Sequence, residues 1–191
     1  MKIALPVTVL TLVAGVAAAE PVNFQIDPNH TYPSFAADHF DGMSTWRGKF
    51  DHTTGTIVLD RTKGTGTVDI TVDTTSISFG MPKLDEHTKS GEAGMFNVEK
   101  YPTATYKGTL VDFKNGGPTR AQGEFTLHGV TRPLDLTITS FKCMTYPDKK
   151  EHCGANATAT FNRADFGINY GEKYGFKMDT RLDIQVEAVR T

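Results

Sequence analysis

The side chains of this sequence best suited to holding a metal ion are its six histidines, which are scattered along the chain. Paired ligands are expected two residues apart on a strand or four residues apart on a helix. No two histidines share either spacing, and no acidic residue completes a ligand set by spacing. The sequence therefore predicts no metal site and no cofactor. The six residues are His30, His39, His52, His87, His128 and His152.

The motifs that usually mark a catalytic nucleophile or a cofactor loop are absent from the sequence. It contains no G-x-S-x-G turn, no G-x-G-x-x-G loop and no H-E-x-x-H helix. The carboxylates of Asp27, Asp38 and Glu86 stand near turns, where isolated acids are usually solvated or cap a helix. The sequence therefore predicts a binding protein rather than an enzyme. A catalytic site assembled from residues distant in sequence is the alternative.

The first 19 residues have the pattern of a secretory signal peptide. Lys2 supplies a positive charge, Ile3–Ala14 is apolar, and Ala17–Ala19 supplies the small residues of a cleavage site. An uncleaved membrane anchor is the alternative, but an apolar stretch of only about 17 residues is at the lower limit for a span. We predict cleavage after Ala19, which leaves a single domain over residues 20–191.

Export would place the two cysteines, Cys143 and Cys153, in an oxidising compartment. A disulfide that closes the loop between them is the expected outcome there. A metal or redox pair is the rival interpretation, but it would need closer spacing or additional ligands.

The charge of the chain excludes two classes of partner. The sequence has 20 basic and 22 acidic residues, and its net charge of −2 becomes −3 when Lys2 is removed with the signal peptide. The basic residues are scattered rather than clustered, which argues against a nucleic-acid partner. The sequence contains no basic amphipathic segment, which argues against binding to an anionic membrane surface.

The element that organises the chain is a hairpin pattern over Glu124–Ile138. Apolar and polar residues alternate on both sides of Gly129–Pro133, which indicates two strands with one buried face. Pro133 has no amide hydrogen, so we expect it to open the second strand.

The same alternation recurs in about eight short segments, of which Thr67–Asp73 is the clearest. Residues 82–97 interrupt it with a short helical insert that Pro82 could open. Small inward residues alternate in Ala155–Phe161, where they either let a helix approach or line a cavity. Eight antiparallel strands can close into a barrel that encloses one small ligand, and a β-sandwich is the alternative.

Several stretches, in order along nearly the whole of residues 20–191, resemble the YceI-like, polyisoprenoid-binding family. One departure is that the glycine usually found after the His39 motif is displaced to Gly42. The stretches that carry the resemblance are Phe24–Thr31, Asp38–Phe40 with Ser44, Gly48–Phe50, Leu84–Ser90 running on to Phe96, Lys100–Thr105, Phe125–Leu134 and Asn162–Gly167.

The resemblance implies an extended, lipocalin-like, eight-stranded antiparallel β-barrel with an apolar tunnel for a lipid tail. The expected wall consists of large apolar residues, for which an ordinary packed core is the alternative role. His39 and His87, which lie in family-like motifs, are expected to hydrogen-bond the ligand head group, or else to be satisfied by backbone carbonyls. The wall residues are Phe35, Trp46, Phe50, Ile70, Phe79, Phe96, Phe125, Leu127, Leu136 and Phe161.

The function implied by the resemblance is that of a periplasmic carrier for a polyisoprenoid or other long-chain, quinone-like lipid. Family members are typically bacterial and periplasmic, and some are encoded beside or fused to b-type cytochrome membrane proteins. A non-catalytic accessory protein that docks to a membrane cytochrome is therefore the first alternative. A lipocalin-like enzyme is the second.

Overall fold

The structure, a computed structural model, describes residues 20–191. The predicted signal peptide and its cleavage site at Ala19 lie outside these residues. Within the described residues the chain forms eleven strands and one α-helix, α1, at Pro82–Lys89. The strands are β1 (Val22–Ile26), β2 (Tyr32–His39), β3 (Ser44–Phe50), β4 (Thr53–Asp60), β5 (Thr65–Asp73), β6 (Ile77–Ser78), β7 (Thr103–Val111), β8 (Arg120–Leu127), β9 (Val130–Thr145), β10 (Glu151–Asn162) and β11 (Asp179–Arg190).

Eight of these strands close into an antiparallel barrel. The ring runs β1-β4-β5-β7-β8-β9-β10-β11 and returns to β1, because β1 pairs with both β4 and β11. Phe24 is the register partner of Ile57 on one side and of Arg190 on the other. The predicted eight-stranded barrel is therefore confirmed, and the sandwich alternative is excluded.

The other three strands extend the barrel wall at one end. β11 is 12 residues long, so its last residues pair with β1 while Thr180–Gln185 pair with β2. β3 and then β6 add to β2. We call this end of the barrel, where β7, β9 and β11 begin, the mouth, and the opposite end the base.

The hairpin predicted over Glu124–Ile138 is confirmed as β8 and β9, but its turn is shorter than expected. His128 and Gly129, with φ of 53° and 76°, form a two-residue turn directly between Leu127 and Val130. Positive φ at both positions is the type I′ geometry that matches the twist of paired strands.

The expectation that Pro133 opens the second strand is wrong. Pro133 lies inside β9 as the partner of Glu124. Hydrogen-bonded and non-hydrogen-bonded pairs alternate along an antiparallel hairpin, and the pair that flanks a two-residue turn is hydrogen-bonded. The pair of Glu124 with Pro133 is therefore a non-hydrogen-bonded one, and an amide hydrogen at Pro133 would point away from β8. β10 pairs with β9 only from Thr137 onward, and the sheet therefore loses no ladder bond at Pro133.

Buried apolar clusters lie towards both ends of the barrel interior. At the base, Phe24, Ile26, Leu59 and Ala188 are at most 3% exposed. Towards the mouth, a second cluster contains Ala104, Leu127, Phe166 and Ile168. No helix of the described part of the chain is long and apolar enough to cross a membrane.

The expected disulfide is present at the base. Cys143 and Cys153 are register partners on β9 and β10, with 4.0 Å between their Cα atoms. The bond cross-links the two strands of the β9–β10 hairpin near its turn and confirms that the cysteines form a structural disulfide.

Removing this disulfide is expected to lower the free energy of unfolding by about 2–3 kcal/mol, because the closed loop restricts the unfolded chain. Urea unfolding of the double variant Cys143→Ala/Cys153→Ala and of the reduced wild-type protein tests this, with the oxidised wild-type protein as the reference. Urea midpoints equal to that of the reference in both samples would contradict the expectation.

An ion pair where β1 ends makes stability depend on pH. His30 Nδ1 lies 2.7 Å from Asp27 Oδ2. The hydrogen bond to Asp27 raises the pKa of His30 above 6.5, and the same bond holds the pKa of Asp27 below 3.8. The stabilisation from His30 is therefore full below about pH 6.5 and is lost as pH rises through its raised pKa. The stabilisation from Asp27 is present above about pH 4 and is lost as pH falls through its lowered pKa.

We therefore expect His30→Gln to destabilise the protein measurably near about pH 6 and to have little effect near about pH 8. Urea midpoints of the two proteins across this range provide the measurement. A difference that does not change with pH would show that the pair contributes nothing through ionisation.

Candidate functional site

The barrel encloses a cavity of about 640 Å³ between its base and its mouth. This volume lies within the roughly 300–1,000 Å³ of small-molecule sites. Its wall is formed mainly by apolar side chains from the strands of the ring and from β2 and β3.

Strand alternation determines which side chains reach the cavity. On β11 every second residue from Thr180 to Ala188 lines it. The intervening residues point outward, since successive side chains of a strand point to opposite faces. Leu182, Ile184 and Val186 belong to this wall and were missed as site residues, although the alternation over residues 182–188 was visible in the sequence.

All ten apolar residues predicted for the wall lie on the cavity surface. Their contact with a ligand stays a prediction. They are Phe35, Trp46, Phe50, Ile70, Phe79, Phe96, Phe125, Leu127, Leu136 and Phe161.

A glycine on β3 makes room for one of these aromatic rings. A Cβ at Gly48 would stand 2.5 Å from Cζ of Phe35, so any side chain there would collide with the ring. The Phe35 ring packs 5.6 Å from Phe50 and 5.4 Å from Phe79, measured between centroids. β2 and β3 pair without a register shift through Gly48. The glycine therefore accommodates a side chain of the wall rather than a bulge.

The small residues of β10 leave space in the cavity. Ala155 and Ala157 line it, and Ala157 is 6% exposed. The small residues of β10 therefore line a cavity and do not serve to let a helix approach, which was the other role considered from the sequence.

The helical insert covers part of the mouth. Leu84 and His87 of α1 line the cavity, as do Met95 and Phe96, which follow it. The amide of Phe96 donates to the carbonyl of Thr88, so the segment after α1 folds back on the helix. The insert meets the segment over residues 163–178, where the amide of Tyr170 donates to the carbonyl of Gly94 at 3.1 Å.

Both histidines predicted for the head group lie at the mouth. The His39 ring stacks on Trp46 at 4.2 Å, and its Nδ1 lies 3.3 Å from Oγ of Ser44. His87 Nδ1 lies 3.5 Å from a carboxylate oxygen of Glu92. Both histidines line the cavity, so a head group bound at the mouth could contact them. Their role in binding it stays a prediction.

The cavity reaches solvent at the mouth. Phe40 and Tyr174 are 45% and 55% exposed, and both also line the cavity. Phe40 packs against Phe176 with 4.6 Å between ring centroids. Aromatic side chains therefore border the opening.

Arg163 is a charged residue of the mouth that the sequence reading missed as a site residue. It lines the cavity, and Nη1 and Nη2 donate to the carbonyls of Ile168 and Tyr170 at 2.8 and 2.9 Å. Burial lowers the pKa of this guanidinium, while the charges of Glu172 and Asp38 oppose the shift. The only signal in the sequence was its place in the stretch Asn162–Gly167.

Three further hydroxyl groups of the wall differ in whether they have a hydrogen-bond partner within the protein. The Tyr106 hydroxyl donates to the carbonyl of Leu134 at 3.0 Å, and burial raises the pKa of Tyr106 to about 12. It is therefore a neutral group engaged with the barrel itself. The hydroxyls of Thr53 and Thr180 are buried and find no hydrogen-bond partner among the described residues.

One group of side chains has the spacing of metal ligands within residues 20–191, and it is the disulfide with its neighbour. Cys143, Cys153 and Glu151 lie close together, but the two sulfurs are bonded to each other. Glu151 pairs with Arg61 at 2.5 Å. A disulfide has no thiolate to offer, so this group does not form a metal site.

A closed eight-stranded barrel around an apolar cavity defines the class of β-barrel proteins that enclose small ligands. Comparison with known proteins gives the family. The model of the YceI-like domain matches residues 24–189 of this chain, and the chain belongs to the YceI-like family.

Curated relatives match along nearly their whole length. A UPF0312 protein of Shewanella baltica is 32% identical over 183 residues, covering 91% of this chain and 90% of the relative. A UPF0312 protein of Pectobacterium atrosepticum is 31% identical over 178 residues, covering 93% and 90%.

Solved structures share the fold at lower sequence identity. BcnA of Burkholderia cenocepacia has a TM-score of 0.66 at 16% identity, covering 85% of this chain and 98% of that one. A polyisoprenoid binding domain from Saccharophagus degradans has a TM-score of 0.66 at 14% identity, covering 89% and 99%. These likenesses support the barrel architecture.

Proposed function

We propose that this protein binds an amphiphilic lipid, a polyisoprenoid or quinone-like molecule, and carries it in the periplasm. The observation that supports this most strongly is the cavity of about 640 Å³ with apolar walls inside a closed barrel. The structural neighbour from Saccharophagus degradans is a polyisoprenoid binding domain, which favours the same class of ligand here.

The binding energy in this proposal comes from burial of the tail. Each buried CH₂ contributes about 0.8 kcal/mol, so a long tail can be held with few polar contacts. The ten predicted wall residues would contact the tail, and His39 and His87 would face the head group. Binding of this kind needs no catalytic group, and release would require the insert over residues 82–97 to move.

The single tryptophan provides a direct test. Trp46 lines the cavity beside His39 at the mouth, so its fluorescence should report occupancy. Titration with farnesol, a short soluble isoprenoid alcohol, is expected to change the emission and to saturate at one molecule per protein.

A protein that shows no saturable change, and that also fails to bind farnesol in equilibrium dialysis, would contradict the proposal. That result would favour the accessory role, in which the interior is only a core and the partner is a membrane cytochrome.

A further inference from the structure

The exposed apolar side chains of this protein gather at one end of the barrel. Among residues 20–191, five large apolar side chains are exposed, and four of them lie at the mouth. The fifth, Met144, lies near the end of β9 at the base. We call the four side chains at the mouth the rim. They are Phe40, Met43, Met81 and Tyr174, which are 45%, 77%, 58% and 55% exposed.

The rim continues the apolar wall of the cavity into solvent. Phe40 and Tyr174 belong to both, since they line the cavity and are exposed. The amide of Met43 donates to the carbonyl of Phe40 at 3.1 Å within the turn between β2 and β3. Met81 stands directly before α1, whose Leu84 lines the cavity. Single exposed apolar side chains are ordinary, but a group of them marks an interaction site.

A row of rings in contact connects the two sides of the rim. The Phe40 ring lies 4.6 Å from that of His39, which stacks on Trp46 at 4.2 Å. Trp46 in turn lies 6.4 Å from Phe79, two residues before Met81. The β2–β3 turn and the residue before α1 therefore belong to one surface around the opening.

The backbone at Phe40 indicates that this side chain has a role outside the fold. Phe40 and Asp41 have φ of 51° and 50°, a left-handed conformation that is unfavourable for a bulky residue. Gly42, with φ of 90°, adopts positive φ without this cost. Strained positions cluster at functional sites, and here the strain places a large apolar ring at the opening.

The charges around the rim favour a partner surface of low net charge. Residues 40–43, 81–86 and 171–177 carry three basic and four acidic side chains, a net charge of −1. Some of these charges are already engaged within the protein. Lys177 Nζ lies 3.2 Å from Asp41 Oδ1, and the carboxylate of Asp85 accepts the amide of Phe79 at 2.6 Å. Such a surface offers no cationic patch to an anionic partner.

We propose that the rim docks on a phospholipid bilayer of low net charge, with the mouth of the barrel facing the bilayer. The rim side chains would leave water for the boundary between head groups and acyl chains. Tyr174 suits this boundary, because a tyrosine ring has an apolar body and a polar tip. The choice of a bilayer as the partner rests on the proposed lipid-binding function, since a carried lipid has to enter and leave a membrane through the mouth.

Cosedimentation with phosphatidylcholine vesicles tests the docking. The wild-type protein is expected to bind reversibly, with an association constant below the roughly 10⁴ M⁻¹ of one myristoyl chain, because the protein covers part of each rim side chain. Met43→Glu and Met81→Glu should each weaken this binding at least about tenfold, which corresponds to about 1.4 kcal/mol. Each of them removes an apolar contact and adds a charge that the bilayer disfavours.

The matched control is Met144→Glu, which makes the same substitution at a methionine that is 51% exposed at the base. It should bind vesicles as the wild-type protein does. Neither Met43 nor Met81 lines the cavity, so their glutamate variants should keep the wild-type affinity for farnesol in solution. This comparison separates docking from ligand binding.

Absence of wild-type binding to phosphatidylcholine vesicles would overturn this inference, as would binding only to vesicles that contain phosphatidylglycerol. Equal vesicle binding by the wild-type protein and Met43→Glu would also overturn it, because the attachment would then lie elsewhere, such as in residues 1–19. A wild-type dimer that Met43→Glu converts to a monomer in sedimentation velocity would show that a second copy covers the rim instead. Failure to bind farnesol, with vesicle binding retained, would refute the proposed function and not the docking.

Discussion

Replacing Ala157 by phenylalanine is expected to weaken lipid binding roughly thirtyfold while the barrel stays folded. Ala157 is a small residue of β10 whose side chain points into the cavity. A benzyl group there would occupy the space of about three CH₂ groups of a tail, a loss of about 2 kcal/mol. Because the added atoms enter existing space, the cost of overpacking should be smaller than in a filled core.

The matched control for this variant is Thr160→Phe. Thr160 lies three residues further along β10 and is exposed, so the same side chain is added on the outside of the barrel. We expect unchanged farnesol affinity in Thr160→Phe. Equal affinities of the two variants and the wild-type protein would mean that the lipid does not bind in the barrel.

Truncation of Phe166 to alanine is expected to lower the free energy of unfolding by about 3–5 kcal/mol. Phe166 is 2% exposed and packs against the rings of Phe125 and Phe161, with 5.4 Å between its centroid and each of theirs. It belongs to the buried cluster on the mouth side of the interior. A loss of this size is a large part of the roughly 5–15 kcal/mol that stabilises a typical domain.

The control for this prediction is another phenylalanine of the mouth. Phe40 is 45% exposed, so Phe40→Ala should change the free energy of unfolding by less than about 1 kcal/mol. Urea unfolding followed by circular dichroism measures both variants. Similar losses in the two would show that Phe166 does not anchor the mouth.

Much of this fold could be predicted because strand alternation is a local property. The pattern around Phe125 and Leu136 indicates which side chains share a face, and a barrel turns that face inward. The ten predicted wall residues therefore reach the cavity. The predicted turn was too long because Pro133 was expected to open β9. Pro133 can lie inside β9 because β10 does not extend along β9 as far as this residue, and that is not a local property of the sequence.

The polar part of the site was harder to predict. The amide of Arg163 donates to the carbonyl of Met178. Thr180 is the register partner of Phe161, so the pairing of β10 with β11 decides where both residues lie. His39 and His87 were selected from motifs and do lie at the mouth. The two carbonyl acceptors of Arg163 and the unbonded hydroxyl of Thr180 cannot be predicted from sequence, because each depends on which residues surround the group in the folded chain.

The disulfide and Phe166 secure opposite ends of the same barrel. Cys143 and Cys153 join β9 and β10 at the base, and Phe166 belongs to the buried cluster on the mouth side. The wall between them is held by strand pairing around a cavity rather than by a filled core. This division lets the interior accept a ligand while the two ends stabilise the fold.

The most direct measurement is solvent extraction and mass spectrometry of the protein purified from a periplasmic fraction. The account predicts an amphiphilic lipid in about one-to-one ratio with the wild-type protein and a much smaller amount with Ala157→Phe. A wild-type barrel that yields no lipid and binds no added isoprenoid, quinone or fatty amide would contradict it.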